Sequence, residues 1–151
     1  MIYLYNYAGQ AWKTQSKIRE VLTKLYTPAP DGYCGDEDNG QTSAWYIFSA
    51  IGFYPVAPVT GEYVLGSPLF DKVSLQLENG NTFEIIAPNN RPDAPYIQQS
   101  FLNGASWDAS FIKIAEVQKG GILRLEMGNI PYKKRAISSK SFPYSMSTHE
   151  F

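Results

Sequence analysis

The sequence is poor in the residues that most simple catalytic and structural sites require. Its single cysteine, Cys34, excludes an internal disulfide and a cysteine-rich zinc site. The single histidine, His149, lies beside the C-terminus, where we expect a disordered tail, so a Ser-His-Asp triad is excluded. No apolar run approaches ~18 residues, which excludes a transmembrane helix. The formal net charge of −1 gives no basis for binding nucleic acid or an anionic membrane.

The N-terminus also lacks a charged segment followed by an apolar one, so no signal peptide is visible. Met1 runs directly into the apolar and aromatic residues 2–5. From this abrupt start we expect the chain to be one piece of a larger protein.

What the sequence does contain is an aromatic-rich, globular composition. Of its 151 residues, 44% are hydrophobic and 18% charged, enough for one domain with a core. The 11 Tyr, 8 Phe and 3 Trp residues fit a protein that stacks sugars on aromatic rings. They fit a tyrosine-rich core and β-surface equally well.

The first 57 residues have helical periodicity. Ile18, Val21, Leu22 and Leu25 are spaced as one helical stripe, with Thr14 as the expected N-cap. Prolines end this helix, and its basic residues are expected off the stripe: Lys13, Lys17, Arg19 and Lys24. A second helix is predicted over residues 40–51, with Asp38 or Asn39 as N-cap and Gly52 at its C-terminal end. Residues 2–8 are typical of the end of another helix.

After residue 58 the periodicity changes to that of β-strands. Alternating apolar residues predict short strands around Val73–Leu77, Phe83–Ile85, Ile112–Ile114 and Leu123–Met127. The pair Asn79-Gly80 predicts the turn of a hairpin. Residues 130–151 have little pattern. Helices followed by strands indicate an α+β fold, which we divide into a helical region, residues 1–57, and an antiparallel, sandwich-like β region, residues 58–151.

The most informative segment is the acidic loop, residues 35–41, with the sequence GDEDNGQ. Three adjacent acids between two glycines precede a predicted helix, whose N-terminus keeps carboxylates ionised. One interpretation is a solvated loop that caps the helix. A calcium loop of the EF-hand type fails because Ile47 stands where the bidentate glutamate is required. A third interpretation is glycoside hydrolysis, in which one carboxylate activates water and a second acid protonates the leaving oxygen.

Several long motifs resemble those of the glycoside hydrolase family 92 α-mannosidases. The similarity extends from residue 2 to about residue 127, and its strongest segments are residues 3–10 (YLYNYAGQ), 12–15 (WKTQ), 30–41 (PDGYCGDEDNGQ), 43–45 (SAW), 52–55 (GFYP), 63–70 (YVLGSPLF) and Asn89-Asn90.

The resemblance implies an exo-acting, calcium-dependent, inverting α-mannosidase, commonly of α-1,2 linkages, from bacteria that degrade glycans. Family members are several times longer, with an N-terminal β-sandwich and an (α/α)6 barrel. By position in the family motif, Asp38 is the expected general base and Asp36 helps to hold the catalytic water. The implied location is periplasmic, cell-surface or secreted.

The general-acid glutamate and a His-Asn-Glu-Pro segment of the mannose and calcium site are absent from these 151 residues. We therefore interpret residues 1–57 as the last barrel helices with the acidic loop, in a C-terminal fragment that is inactive alone. Its expected partners are mannose-containing glycans, the rest of the parent polypeptide and, through exposed aromatic faces, further copies of itself. The alternatives are a carbohydrate-binding module that uses the β region, and a structural domain in which the acidic loop only caps a helix.

Overall fold

A computed structural model describes residues 2–148 and contains helices at the N-terminus followed by two β-sheets. The α-helices are α1 (Ala11–Lys24), α2 (Gln41–Ile51) and α3 (Ile114–Gln118). The strands are β1 (Phe53–Tyr54), β2 (Glu62–Leu65), β3 (Lys72–Gln76), β4 (Thr82–Ile86), β5 (Tyr96–Leu102), β6 (Ala105–Ser106), β7 (Phe111–Lys113) and β8 (Gly121–Gly128). Short 3₁₀ helices lie at Ile2–Ala8, Pro58–Thr60, Ser139–Ser141 and Met146–Thr148. None of the helices within residues 2–148 has the length and apolar character needed to cross a membrane. His149 lies outside the described residues.

Helix α1 confirms the predicted helix but differs in its start and its buried face. It begins at Ala11 after Gln10, so Thr14 is not the N-cap; Thr14 is buried, and its hydroxyl donates to the Ile2 carbonyl at 3.2 Å. The buried face consists of Ala11, Thr14, Gln15, Ile18, Arg19 and Leu22. The expectation that Arg19 is off the buried stripe was therefore wrong, because the sequence does not reveal tertiary hydrogen-bond partners. Leu25 is half exposed.

Helix α2 runs from Gln41 to Ile51, close to the predicted range. Its N-cap is Gly40, so the prediction of Asp38 or Asn39 was wrong. The C-terminal Gly52 is confirmed: at a φ of 122° its N–H donates to the Phe48 carbonyl at 3.0 Å. A Cβ at Gly52 would also lie 3.1 Å from the Pro68 Cβ, so both backbone conformation and space favour glycine.

The strands form a three-stranded sheet, in the order β1-β2-β7, and a five-stranded sheet, in the order β3-β4-β8-β5-β6. All pairs are antiparallel except β4–β8, which is parallel and corrects the expectation of a purely antiparallel region. The cause is that β8 enters between β4 and β5 and runs antiparallel to β5. Short-range sequence patterns do not encode this non-local placement.

The predicted alternation is confirmed in the five-stranded sheet. Its buried positions include Phe83, Ile85, Leu123 and Leu125, each at most 1% exposed. The predicted hairpin turn is confirmed between β3 and β4, where the Leu77 N–H donates to the Asn81 carbonyl at 2.9 Å. The run at 112–114 is a strand only in part. Ile112 is buried in β7, whereas Ile114 begins α3 after the extended residue Lys113.

One hydrophobic cluster joins both sheets, with Phe53, Leu65 and Ile112 from the smaller sheet packed with residues of the larger one. A second cluster packs Tyr3, Ile18 and Leu22 against Val64. Buried hydrogen bonds also link the helical and β regions, including Asn6 Nδ2 to the Leu65 carbonyl at 2.8 Å. The α+β fold class is thus confirmed, while the division between residues 57 and 58 stays a prediction.

Candidate functional site

The acidic loop leads into α2 through a left-handed turn. Asn39 and Gly40 have φ values of 52° and 86°, which suit Asn and Gly far better than other residues. The turn is closed by a hydrogen bond from the Gln41 N–H to the Asp38 carbonyl at 2.9 Å. It therefore brings the three acids to the N-terminus of α2.

Glu37 caps the helix. Its Oε1 accepts a hydrogen bond from the Thr42 N–H at 3.0 Å, and its Oε2 accepts one from the Ser43 N–H at 3.0 Å. The Ser43 hydroxyl also donates to Oε2. These contacts, which we call the Glu37 clamp, satisfy two of the N–H groups that a helix start leaves unpaired. They lower the pKa of Glu37, with the Ser43 hydroxyl as the largest cause and the N–H groups as further ones.

Asp36 and Asp38, the two residues predicted to be catalytic, lie on either side of Glu37 and are exposed. Within residues 2–148, neither of their carboxylates has a hydrogen bond or ion pair with another side chain or with the backbone. The Asp36 carbonyl accepts a hydrogen bond from the Thr42 hydroxyl at 2.9 Å. The loop thus offers two unengaged carboxylates on a backbone that is fixed to the helix.

An aromatic group lies behind the acidic loop, and sequence reasoning did not assign its members to the site. The Tyr26 ring stacks on Trp45, with centroids 6.0 Å apart, and lies 4.9 Å from Tyr46. Tyr33 contacts Tyr26 edge-on, and its hydroxyl lies 2.6 Å from that of Ser43, so it connects to the Glu37 clamp. Burial is the main cause that raises the pKa of Tyr26 to about 12, and nearby Cys34 and Glu37 add to it.

Cys34 is a free and exposed thiol. It lies in the coil before the acidic loop, where residues 33–41 are all exposed. No core is available there to cover a small apolar side chain.

The described residues do not form a calcium site of their own. Within residues 2–148 there is no group of three or more His, Cys, Asp or Glu side chains placed to hold a metal ion. Calcium prefers six to eight oxygen ligands. The carboxylates of the acidic loop alone therefore do not fit a complete site for this ion.

The Asn89-Asn90 motif lies beside the buried Arg19. The Asn90 Oδ1 accepts a hydrogen bond from Arg19 Nη2, and Arg19 Nε donates to the Ser67 hydroxyl at 3.0 Å. Burial lowers the pKa of Arg19 to about 10, while Asp71 opposes this shift, so Arg19 remains cationic at neutral pH. Asn90, one residue of the family motif, thus has a structural role as a hydrogen-bond partner of Arg19.

Comparisons with known proteins place this arrangement in a family. The chain matches the model of the glycosyl hydrolase family 92 catalytic domain over residues 1–129. An uncharacterized secreted glycosidase from Arthroderma benhamiae is 26% identical over 129 residues, which are 83% of this chain and 17% of that protein.

Two solved structures from Bacteroides thetaiotaomicron are also similar. One, a family 92 inverting mannosidase, has a TM-score of 0.92 and 51% identity over 97% of this chain and 20% of its own. The other, a family 92 α-mannosidase, has a TM-score of 0.91 and 39% identity over 96% of this chain and 20% of its own. This chain thus spans about 20% of the length of these relatives. The resemblance seen in the sequence motifs is confirmed, and the chain belongs to glycosyl hydrolase family 92.

Proposed function

We propose that this chain is the C-terminal part of an exo-acting, calcium-dependent, inverting α-mannosidase that hydrolyses α-1,2-linked mannose of glycans. Asp38 is its general base, and Asp36 helps to hold the catalytic water. The observation that carries this assignment is the division of roles in the acidic loop. Glu37 alone caps α2, so helix capping does not explain why Asp36 and Asp38 are carboxylates. Support also comes from the mannosidases whose structures this chain matches.

In this reaction, Asp38 accepts a proton from a water molecule as the water oxygen forms a bond to the anomeric carbon. The bond from that carbon to the leaving oxygen breaks, and a general acid outside this chain protonates that oxygen. An inverting enzyme holds its two carboxyl groups roughly 6.5–9.5 Å apart, because the water must fit beside the sugar. The exposed positions of Asp36 and Asp38 suit an active site completed by other parts of a longer protein.

Calcium dependence belongs to this proposal only at the level of the complete protein, since the acidic loop does not fit a calcium site by itself. We also propose a periplasmic, cell-surface or secreted location in a bacterium. Export is supported by the relative from Arthroderma benhamiae, which is described as secreted, and a bacterial source by the two similar mannosidases from Bacteroides thetaiotaomicron.

Substitution of Asp38 in the complete polypeptide tests the assignment of the base. We expect Asp38→Asn to lower kcat by about 10²–10⁴-fold, the usual contribution of a general base, and Asp36→Asn to have a smaller effect. Nuclear magnetic resonance of the first product should show β-mannose if the reaction inverts. The control is Glu20→Gln, which removes an exposed carboxylate that pairs with Lys17 on α1. Unchanged turnover in Asp38→Asn would reject Asp38 as the base.

The isolated chain tests the rest of this proposal. We expect no mannosidase turnover from it, because it lacks the acid. The exposed apolar side chains of the helical region include Leu4 at 51% and Ile47 at 56% exposure. We therefore expect the isolated chain to self-associate, as light scattering would show. Mannosidase turnover by this chain would contradict the expected inactivity. A monodisperse monomer would contradict the expected self-association.

A second candidate function is glycan binding by the β region, and one surface favours it. A cavity of about 750 Å³ on the five-stranded sheet is lined by Phe101, Gln99 and Arg124, among others. An aromatic ring beside amide and charged groups suits a sugar, which has both apolar faces and hydroxyls. Isothermal titration with α-mannobiose tests this candidate, with Phe101→Ala as the matched variant. No heat at millimolar sugar would reject it.

A further inference from the structure

We propose that Glu37 is a positioning residue for catalysis: its carboxylate fixes the backbone between Asp36 and Asp38 and thereby sets where both aspartates stand. This inference rests on the proposed function. It assigns to Glu37 a role that the other two acids of the loop do not share.

The first support is the number of independent contacts that hold residues 36–38 to the start of α2. The Glu37 carboxylate accepts from two backbone N–H groups and from the Ser43 hydroxyl. The carbonyl of Asp36 accepts from the Thr42 hydroxyl at 2.9 Å, and the carbonyl of Asp38 accepts from the Gln41 N–H at 2.9 Å. Three consecutive residues are thus held to the first turn of one helix.

The second support is the position of the cap along the chain. An ordinary side-chain cap stands at the N-cap residue itself, which here is Gly40 and has no side chain. Glu37 reaches α2 from three residues earlier, so its hydrogen bonds enclose the turn formed by Asn39 and Gly40. A side-chain cap at position 40 would also satisfy N–H groups of the helix, but it would not tie residue 37 to the first turn of α2.

The third support is the connection of the clamp to the aromatic group. Because the Ser43 hydroxyl donates to Glu37, its oxygen is available to accept from the Tyr33 hydroxyl, 2.6 Å away. Tyr33 in turn contacts Tyr26, which stacks on Trp45 of α2. The clamp is therefore held from both the helix and the preceding coil, as expected for a group that orients a catalytic loop.

The experiment compares three variants of the complete polypeptide: Glu37→Ala, Glu37→Gln and Ser43→Ala. A misplacement of about 1 Å costs on the order of 10²-fold in rate, so we expect Glu37→Ala to lower kcat by that order. We expect KM to change little, because Glu37 is engaged with the helix. Glu37→Gln should recover part of kcat, because an amide oxygen still accepts an N–H bond. Glu20→Gln is the matched control, with kcat and Tm unchanged.

Ser43→Ala separates positioning from stability. Alanine is a better helix former than serine, so this variant should keep its Tm while kcat falls several-fold. If Glu37→Ala does not fold, Ser43→Ala decides the question. The inference is overturned if Ser43→Ala has the kcat of the parent, or if Glu37→Ala lowers Tm with kcat unchanged well below Tm.

The same set of proteins distinguishes this failure from failure of the proposed function. If Asp38→Asn retains full turnover, Asp38 is not the base and the proposed function fails, whatever Glu37 does. If Asp38→Asn loses turnover while the Glu37 and Ser43 variants retain it, only the positioning role is rejected.

Discussion

The acidic loop and the five-stranded sheet are held in place by different kinds of interaction. Residues 35–41 are all exposed, and hydrogen bonds to the first turn of α2 hold them in place. The sheet is held by burial of side chains such as Phe83 and Leu123, both 0% exposed. The candidate chemistry therefore lies in a stretch of the chain that contributes no side chain to the core. A loop of this kind can meet a substrate, but its rigidity depends on a few polar contacts.

Arg19 lies between these two extremes, because it is both charged and buried. Its guanidinium donates hydrogen bonds to Ser67 and Asn90 and so connects α1 to the segments around them. The Ser67 hydroxyl in turn donates to the Pro95 carbonyl at 2.7 Å. A buried charge is costly unless its hydrogen bonds are satisfied. Arg19 thus acts as a polar link between the helical region and loops that flank the sheet.

The largest expected effect on stability tests the sheet side of the comparison. Leu123→Ala removes a fully buried side chain from β8, so we expect the free energy of unfolding to fall by about 2–5 kcal/mol. The matched control is its neighbour Ile122, which points to the other face and is 41% exposed. We expect Ile122→Ala to cost less than ~1 kcal/mol. Urea denaturation measures both, and equal losses would contradict the assigned faces of β8.

An intermediate effect is expected at Arg19. Arg19→Met keeps much of the side-chain length but leaves Ser67 and Asn90 without their guanidinium partner. An unsatisfied buried group costs about 1–3 kcal/mol, so we expect a loss of that order in urea denaturation. The control is Lys17→Met on the exposed side of α1, where the ion pair with Glu20 is screened by water and should contribute little to stability. A similar loss in both variants would show that Arg19 is not a specific link.

The comparison also explains what the sequence could and could not predict. The alternation at Phe83, Ile85 and Leu123 is a local signal of a half-buried strand, so it was sufficient to locate β4 and β8. The parallel pairing of β4 with β8 depends on which strand enters between two others, and no local signal encodes it. Arg19 was misplaced for a similar reason, since its partners lie about 50 and 70 residues away in the chain.

For the candidate site, the motif identified the acidic loop but did not separate the roles of its acids. Asp36 and Asp38 were chosen by position in the family motif, and their catalytic roles stay a prediction. The role of Glu37 was missed because a capping glutamate three residues before the N-cap is not a recognised local pattern. Thr42 and Ser43 at the start of α2 were the available signal, since their hydroxyls can form hydrogen bonds with the preceding loop.

The smallest expected effect concerns Tyr26, the partly covered ring behind the exposed loop. Burial keeps it neutral, with its pKa raised to about 12, whereas an unfolded chain ionises tyrosine near pH 10. Its contribution to stability is therefore complete below about pH 10 and is lost as the pH rises through about 12. Both the parent protein and the Tyr26→Phe variant are titrated and followed by ultraviolet absorbance. The difference between the two curves should show one phenol that ionises with a midpoint near pH 12. A midpoint near 10 would mean that the Tyr26 ring is as accessible to water as the acidic loop beside it. The aromatic group would then not be a buried surface against which the loop packs.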